Sequence, residues 1–198
     1  SDSTAVQLRK QYEKFTRDPM YWVRARFGAN VKLSSQQVSY FNSLGELIRA
    51  KMKAYDSPDK MSDYDKELAS KIGVSIMAGQ GVGKDFVTAM TMLYFLDCMP
   101  NCKITATGVT GKHLRNVLWS ECSKIMRLSI STDPKDTHAD TVLESMLKWQ
   151  TEKIFHKGAR NPGAEWFAEA VTINPHSTED EQAKTLYGRH EKYQLIVV

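Results

Sequence analysis

Along the first third of the chain, apolar residues recur at helical spacing. In "SSQQVSYFNSLGELIRAKM", Val38, Phe41, Leu44 and Ile48 fall on one helical face. Ahead of it, "STAVQLRKQYEKFTR" sets Val6, Tyr12 and Phe15 among charges. "DPMYWVRARFG" offers Asp18 as an N-cap, Pro19 at the first helical position and Gly28 as a stop. The polar stretch "DSPDKMSD", Asp56 to Asp63, predicts a loop.

From Lys71 the pattern changes. "IGVSIM" is a short apolar run of the buried-strand kind, ended by a glycine-rich turn. The mostly apolar "KDFVTAMTMLYFLDCM" follows as a helix, closed by Pro100. "CKITATG" predicts a second strand. "TGKHLRNVLWSECSKIMRL" then predicts a helix with Leu114, Val117, Leu118 and Ile125 on one face. Strand, helix, strand, helix implies a mostly parallel sheet covered on both faces. Further on, "DTVLESMLK" has a helical pattern, and "WQTEKIFH" and "EWFAEAVTI" look like strands around the turn "GARNPG". "STEDEQAKTLYG" predicts a helix capped by Ser177 or Thr178, and "YQLIVV" a last strand. The expected architecture is a three-layer α/β/α sandwich. Residues 1–60 form its helical lead-in and residues 61–198 its core.

Composition adds limits. The chain has 198 residues, 41% of them hydrophobic, enough for a packed core. Its net charge of +4 permits a polyanionic partner without demanding one, and the charges look scattered. Cys98, Cys102 and Cys122 lack paired metal-ligand spacing and read as reduced thiols of an intracellular protein. No apolar run approaches the roughly 20 residues that cross a bilayer, so no membrane role is expected. Trp22, Trp119 and Trp149 are assigned to packing.

The densest chemistry lies in "IMAGQGVGKDF". A loop that holds phosphate needs backbone N–H groups converging on one concavity, which side chains would obstruct. A helix starting directly after it adds its positive dipole end. Ala78, Gly79, Gln80, Gly81, Val82 and Gly83 supply such a loop, Lys84 the cation for the outer phosphates, and Asp85 and Phe86 open the helix. Two departures stand out: Ala78 replaces a glycine, and Asp85 stands where a serine or threonine would ligate Mg²⁺. A carboxylate can hold that ion directly or through water. Without the metal it repels the phosphates.

The flanks narrow the choice. A glutamine opens the helix "LSSQQVSYFNSL", a strand ends in small polar residues before "LRNVLWSE", and "LYGRHEKYQLIVV" runs from a turn into an apolar strand. Together with the loop, in this order and over about Trp22 to Val198, they resemble the ATPase domain of the large terminase subunit of tailed bacteriophages. The resemblance implies a P-loop motor that spends ATP to drive double-stranded DNA into a procapsid. Mg²⁺ would be its metal, and the small terminase subunit and the portal its partners. It also implies a homo-oligomeric ring in the host cytoplasm and a C-terminal nuclease domain, for which these residues leave no room.

Residue by residue, Gln37 matches the adenine-reading glutamine, with Gln36 the neighbouring candidate. Lys84 matches the phosphate-loop lysine and Asp85 takes the metal position. Leu195 to Val198 match the strand whose following carboxylates bind Mg²⁺ and polarise water. The sequence stops at Val198, so the expectation is an excised fragment or a longer protein, and nucleotide binding without appreciable turnover from these residues alone. Arg160 and Arg189 are candidates for the arginine that stabilises the transferring phosphate. His190 could sense the phosphate end, and Lys112, His113 and Arg115 could touch DNA backbone. A helicase-like translocase and a nucleotide-binding module without hydrolysis are the competing functions.

Overall fold

The computed structural model describes residues 2–75, 83–108, 110–172, 176–187 and 192–197. They form two compact units, Ser1–Val82 and Gly83–Val198. The division falls later than residue 60 because the helix that follows that point packs on the helices before it.

The first unit is helical. α1 (Asp2–Arg17) and α2 (Pro19–Phe27) meet at Asp18, whose carboxylate accepts the Tyr21 N–H at 2.9 Å. α3 (Ser35–Asp56) starts with a reciprocal cap. The Gln37 N–H donates to the Ser34 hydroxyl, and the Ser34 N–H donates to Gln37 Oε1 at 2.9 Å. Phe15, Trp22, Phe27 and Phe41 are fully buried as the core of this unit. Val6 instead stands half exposed. α4 (Asp63–Ser70) has its own cap between Ser62 and Asp65, and Lys53 Nζ of α3 donates to Asp65 Oδ2 at 2.6 Å. That lysine and the Ser62 backbone hold the Asp65 carboxyl at a pKa of about 2. Ile72–Ser75 form no strand, and Ile72 is fully exposed, contrary to the buried strand expected over "IGVSIM". Its last two residues lie outside the described ones.

The second unit is α/β. α5 (Lys84–Cys98) leads through a turn at Pro100 into β1 (Lys103–Gly108). α6 (Gly111–Leu114), a π-helical turn (Arg115–Trp119) and α7 (Ser120–Leu128) follow. The wide turn rotates the apolar stripe, so Leu118, Trp119, Cys122, Ile125 and Met126 are buried while Val117 is only partly so. Then come α8 (Val142–Met146), β2 (Leu147–Trp149), β3 (Lys153–His156), β4 (Phe167–Thr172), α9 (Glu179–Tyr187) and β5 (Gln194–Val197). Thr178 caps α9, its hydroxyl accepting the Glu181 N–H.

The sheet order is β2-β3-β4-β1-β5. β1 pairs in parallel with β4 and β5, whereas β2–β3 and β3–β4 are antiparallel. The sheet is therefore mixed, not mostly parallel. Only three residues separate β2 from β3, too few for a crossover, so that pair can only form a hairpin. Trp149, on edge strand β2, is half exposed and does not pack as expected, whereas Trp22 and Trp119 are buried. One sheet face carries Ile104, Ala106, Ile154 and Ala168, all fully buried, and α5 packs against β3, β4 and β5.

Candidate nucleotide site at the start of α5

α5 is apolar almost all round, and from Ala89 to Cys98 every side chain is buried. Such a helix belongs inside a protein. Its only exposed side chains are Lys84 and Asp85, in its first turn. Gly83 precedes them in the left-handed region (φ 75°, ψ 27°), a conformation that disfavours any residue bearing a Cβ. Among the described residues no side chain caps this end. The first-turn N–H groups and the positive end of the dipole therefore lie beside a cation. Ala78, Gly79, Gln80, Gly81 and Val82 lie outside the described residues.

The far end of α5 is pinned. Trp166 Nε1 donates to the Leu96 carbonyl at 2.8 Å, and the Cys102 N–H donates to the Met99 carbonyl at 3.1 Å. The helix has 15 residues and spans about 22 Å. The six residues of β1 run back about 20 Å. The start of α5 thus lies toward the carboxyl ends of the parallel strands β1, β4 and β5, the end at which open α/β sheets bind ligands. There Thr107 Oγ1 donates to the Val197 carbonyl at 3.3 Å, tying β1 to β5. A Cβ on Gly108 would come within 2.9 Å of Leu114 Cγ, so this glycine admits α6 close to the strand end.

Other expected site residues fall elsewhere. Gln37 belongs to the helical unit, where its carboxamide oxygen is engaged in the α3 cap. Its Nε2 group takes no part in that cap. Gln36 is exposed. Arg160 is exposed in the turn after β3, where the Ala159 N–H donates to the His156 carbonyl. β3 runs antiparallel to β4, so this turn sits at the amino end of β4, opposite the start of α5. Arg189 and His190 lie outside the described residues, as does the His113 side chain. Lys112 is exposed, and Arg115 stands 3.8 Å from Glu152.

Two features had no legible signal. His156 stacks on Trp166 at 3.8 Å between ring centroids, and its Nδ1 accepts the Gly158 N–H at 2.9 Å. Burial lowers its pKa, partly offset by the buried Asp97. Trp166 itself takes a positive φ of 55°. The three cysteines, read from the sequence as reduced thiols, form no disulfide among the described residues and are buried, and burial raises the Cys102 and Cys122 thiols well above the ordinary range.

Among the described residues no group of three or more His, Cys, Asp or Glu forms a metal-binding set. Mg²⁺ suits a site without a protein cage, since one carboxylate plus nucleotide oxygens and water complete its shell. The exposed Asp85 fits that arrangement. Among the described residues no helix is long and apolar enough to cross a membrane. Comparison of the chain with protein-family models, with curated proteins and with solved structures finds no match in any of the three.

Proposed function

We propose that this chain is the P-loop ATPase domain of a viral DNA-packaging motor of the large-terminase type. It would bind Mg-ATP at the start of α5 and, within the complete protein, couple hydrolysis to movement of double-stranded DNA into a procapsid. Small terminase subunit, portal and further copies in a ring would be its partners, in the host cytoplasm. The observation that carries this is the first turn of a buried helix, without a side-chain cap among the described residues, opened by left-handed Gly83 and with Lys84 and Asp85 as the helix's only exposed side chains. An exposed cation on a helix otherwise built for burial supports a ligand there, and the glycine-rich sequence directly before it has the composition that a phosphate cup would need.

Lys84 would hold the outer phosphates, the first-turn amides the anion, and Asp85 the Mg²⁺. Bound Mg²⁺ would neutralise charge on the phosphates. Arg160, at the other end of the sheet, would serve a site other than that of its own Lys84. The test is titration of the chain with a fluorescent ATP analogue and Mg²⁺. Saturable binding, weakened at least about tenfold by Lys84→Ala, supports the reading, since a charge-assisted phosphate contact contributes about 1.5–3 kcal/mol. Equal affinity in both proteins would overturn it.

A second reading, ATP occupancy controlling assembly without hydrolysis, has Asp85 in its favour. Turnover by the complete gene product, abolished by Lys84→Ala, rejects it.

A further inference from the structure

Of the 27 lysines and arginines, ten lie between Asp2 and Asp56, against five of the 23 carboxylates. The remaining 17 basic residues face 18 acidic ones, so the α1–α3 segment carries the whole positive excess. The charges are not scattered. On α1, Ser3, Gln7, Lys10, Lys14 and Arg17 follow each other three or four residues apart, which places them on one stripe. All five are exposed, while Phe15, on another flank of the helix, is fully buried.

Lys14 Nζ sits 3.8 Å from the centre of the Tyr21 ring, and a groove lined by Gln7, Gln11, Lys14 and Tyr21 runs alongside. Arg49 Nη1 donates to the Arg17 carbonyl at 2.7 Å, which brings a fourth cation to the end of the stripe. The nearby acids are committed elsewhere: Glu13 pairs with Arg9 at 3.2 Å, and Asp18 caps α2. Among the described residues, no carboxylate pairs with Lys10, Lys14, Arg17 or Arg49.

We infer that this face of α1, extended by Arg49, binds the phosphate backbone of a nucleic-acid duplex. Lys10 to Arg17 spans about 10 Å of helix. That matches roughly three nucleotides of rise along one strand. Gln7 and Gln11 add the uncharged donors that commonly accompany Lys and Arg on phosphates. A membrane surface would need a wide apolar flank of the helix to enter the lipid boundary; Phe15 is buried in the core, and Val6 and Leu8 are the two large apolar side chains that α1 leaves about half exposed. A protein partner would favour exposed aromatic anchors. The ring at this face, Tyr21, lies beneath Lys14. This deepens the duplex-binding part of the motor reading and does not depend on the nucleotide site.

The experiment is fluorescence anisotropy of the full chain with a labelled duplex of arbitrary sequence, across roughly 50 to 200 mM NaCl. Four phosphate contacts give a log–log salt slope of about −3.6, or about a hundredfold loss of affinity over that range. Lys10→Ala with Lys14→Ala should halve the slope to about −1.8, whereas Lys124→Ala with Arg127→Ala on α7 should leave it unchanged. Circular dichroism checks that α1 stays folded. If it does not, Lys14→Gln replaces the double variant, with a loss of about one unit of slope expected. Lys84→Ala should bind duplex as the parent does, which keeps this test separate from the nucleotide test. Absence of duplex binding, a slope untouched by the α1 variants, or preference for polyglutamate or anionic vesicles over duplex would overturn the inference.

Discussion

Asp85 puts a full negative charge in the first turn of α5, beside the lysine that should meet phosphate. The helix dipole stabilises that charge, but only a cation can reconcile it with a bound polyanion. We expect Asp85→Ser to bind nucleotide better than the parent in EDTA, with the gap closing when Mg²⁺ is added. Titration of both proteins with and without metal checks this, and identical metal dependence would remove Asp85 from the site. Gln37 poses a different problem, because one end of its amide is already used in the α3 cap. Gln37→Glu keeps a carboxyl oxygen for the cap but loses the N–H donor. The expected outcome is an unchanged melting temperature for Gln37→Glu and a lowered one for Gln37→Ala, which loses the cap. His156 sets a pH dependence of its own. Its Nδ1 accepts a backbone N–H and burial lowers its pKa, so the folded protein holds the ring neutral. Below the ordinary value of 6.5 the unfolded chain takes up a proton that the folded one resists, so stability falls as pH falls. Urea midpoints between about pH 8 and 5 should show this decline, and His156→Gln should flatten it.

Gly83 is where the elements meet function, since a left-handed residue both ends the loop and starts α5. Gly83→Ala should cost about 1–2 kcal/mol, read as a lower urea midpoint, and should weaken nucleotide binding through the displaced first turn. Much of this local architecture was legible in the sequence. Asp18-Pro19, Ser34 with Gln37, and Thr178 with Glu181 are caps written in residue types; α5 follows from a mostly apolar run closed by Pro100, β1 from a short run ending in Gly108, and β5 from the apolar "LIV". The antiparallel half of the sheet was harder to read. Leu147 and Lys148 continue a helical pattern until tertiary pairing with His156 and Phe155 makes them part of a strand with Trp149. The π turn at Arg115–Trp119 was hidden as well, because its sequence fits an ordinary helix. For the site, spacing pointed to Lys84 and Asp85. It could not say that Arg160 hangs at the opposite end of the sheet, since that depends on the direction of β3.

At the scale of the whole chain, the two units differ in chemistry. The α1–α3 segment holds the positive excess, and the α/β unit holds the cation-bearing helix start. The segment before their boundary is an exposed coil from Lys71 to Ser75, and Ile72 is its fully exposed apolar residue. A protease needs about this: an extended, unpaired backbone with its preferred side chain in solvent. Thermolysin cuts on the amino side of large apolar residues. Among the described residues of the α/β unit, Leu128, Ile130 and Trp149 are the exposed large apolar side chains; all are less open than Ile72, and the Ile130 carbonyl accepts the Val142 N–H. Brief digestion should therefore release Ser1–Lys71 and Ile72–Val198 as the first products, identified by mass. If Ile72–Ser75 were instead a buried strand, as its apolar run suggested, that bond would survive until the sheet itself unfolded. Cleavage within the first minutes, at a rate unaffected by Ile130→Ser, would establish the exposed coil. Resistance at Ile72 equal to that of β1 would restore the strand.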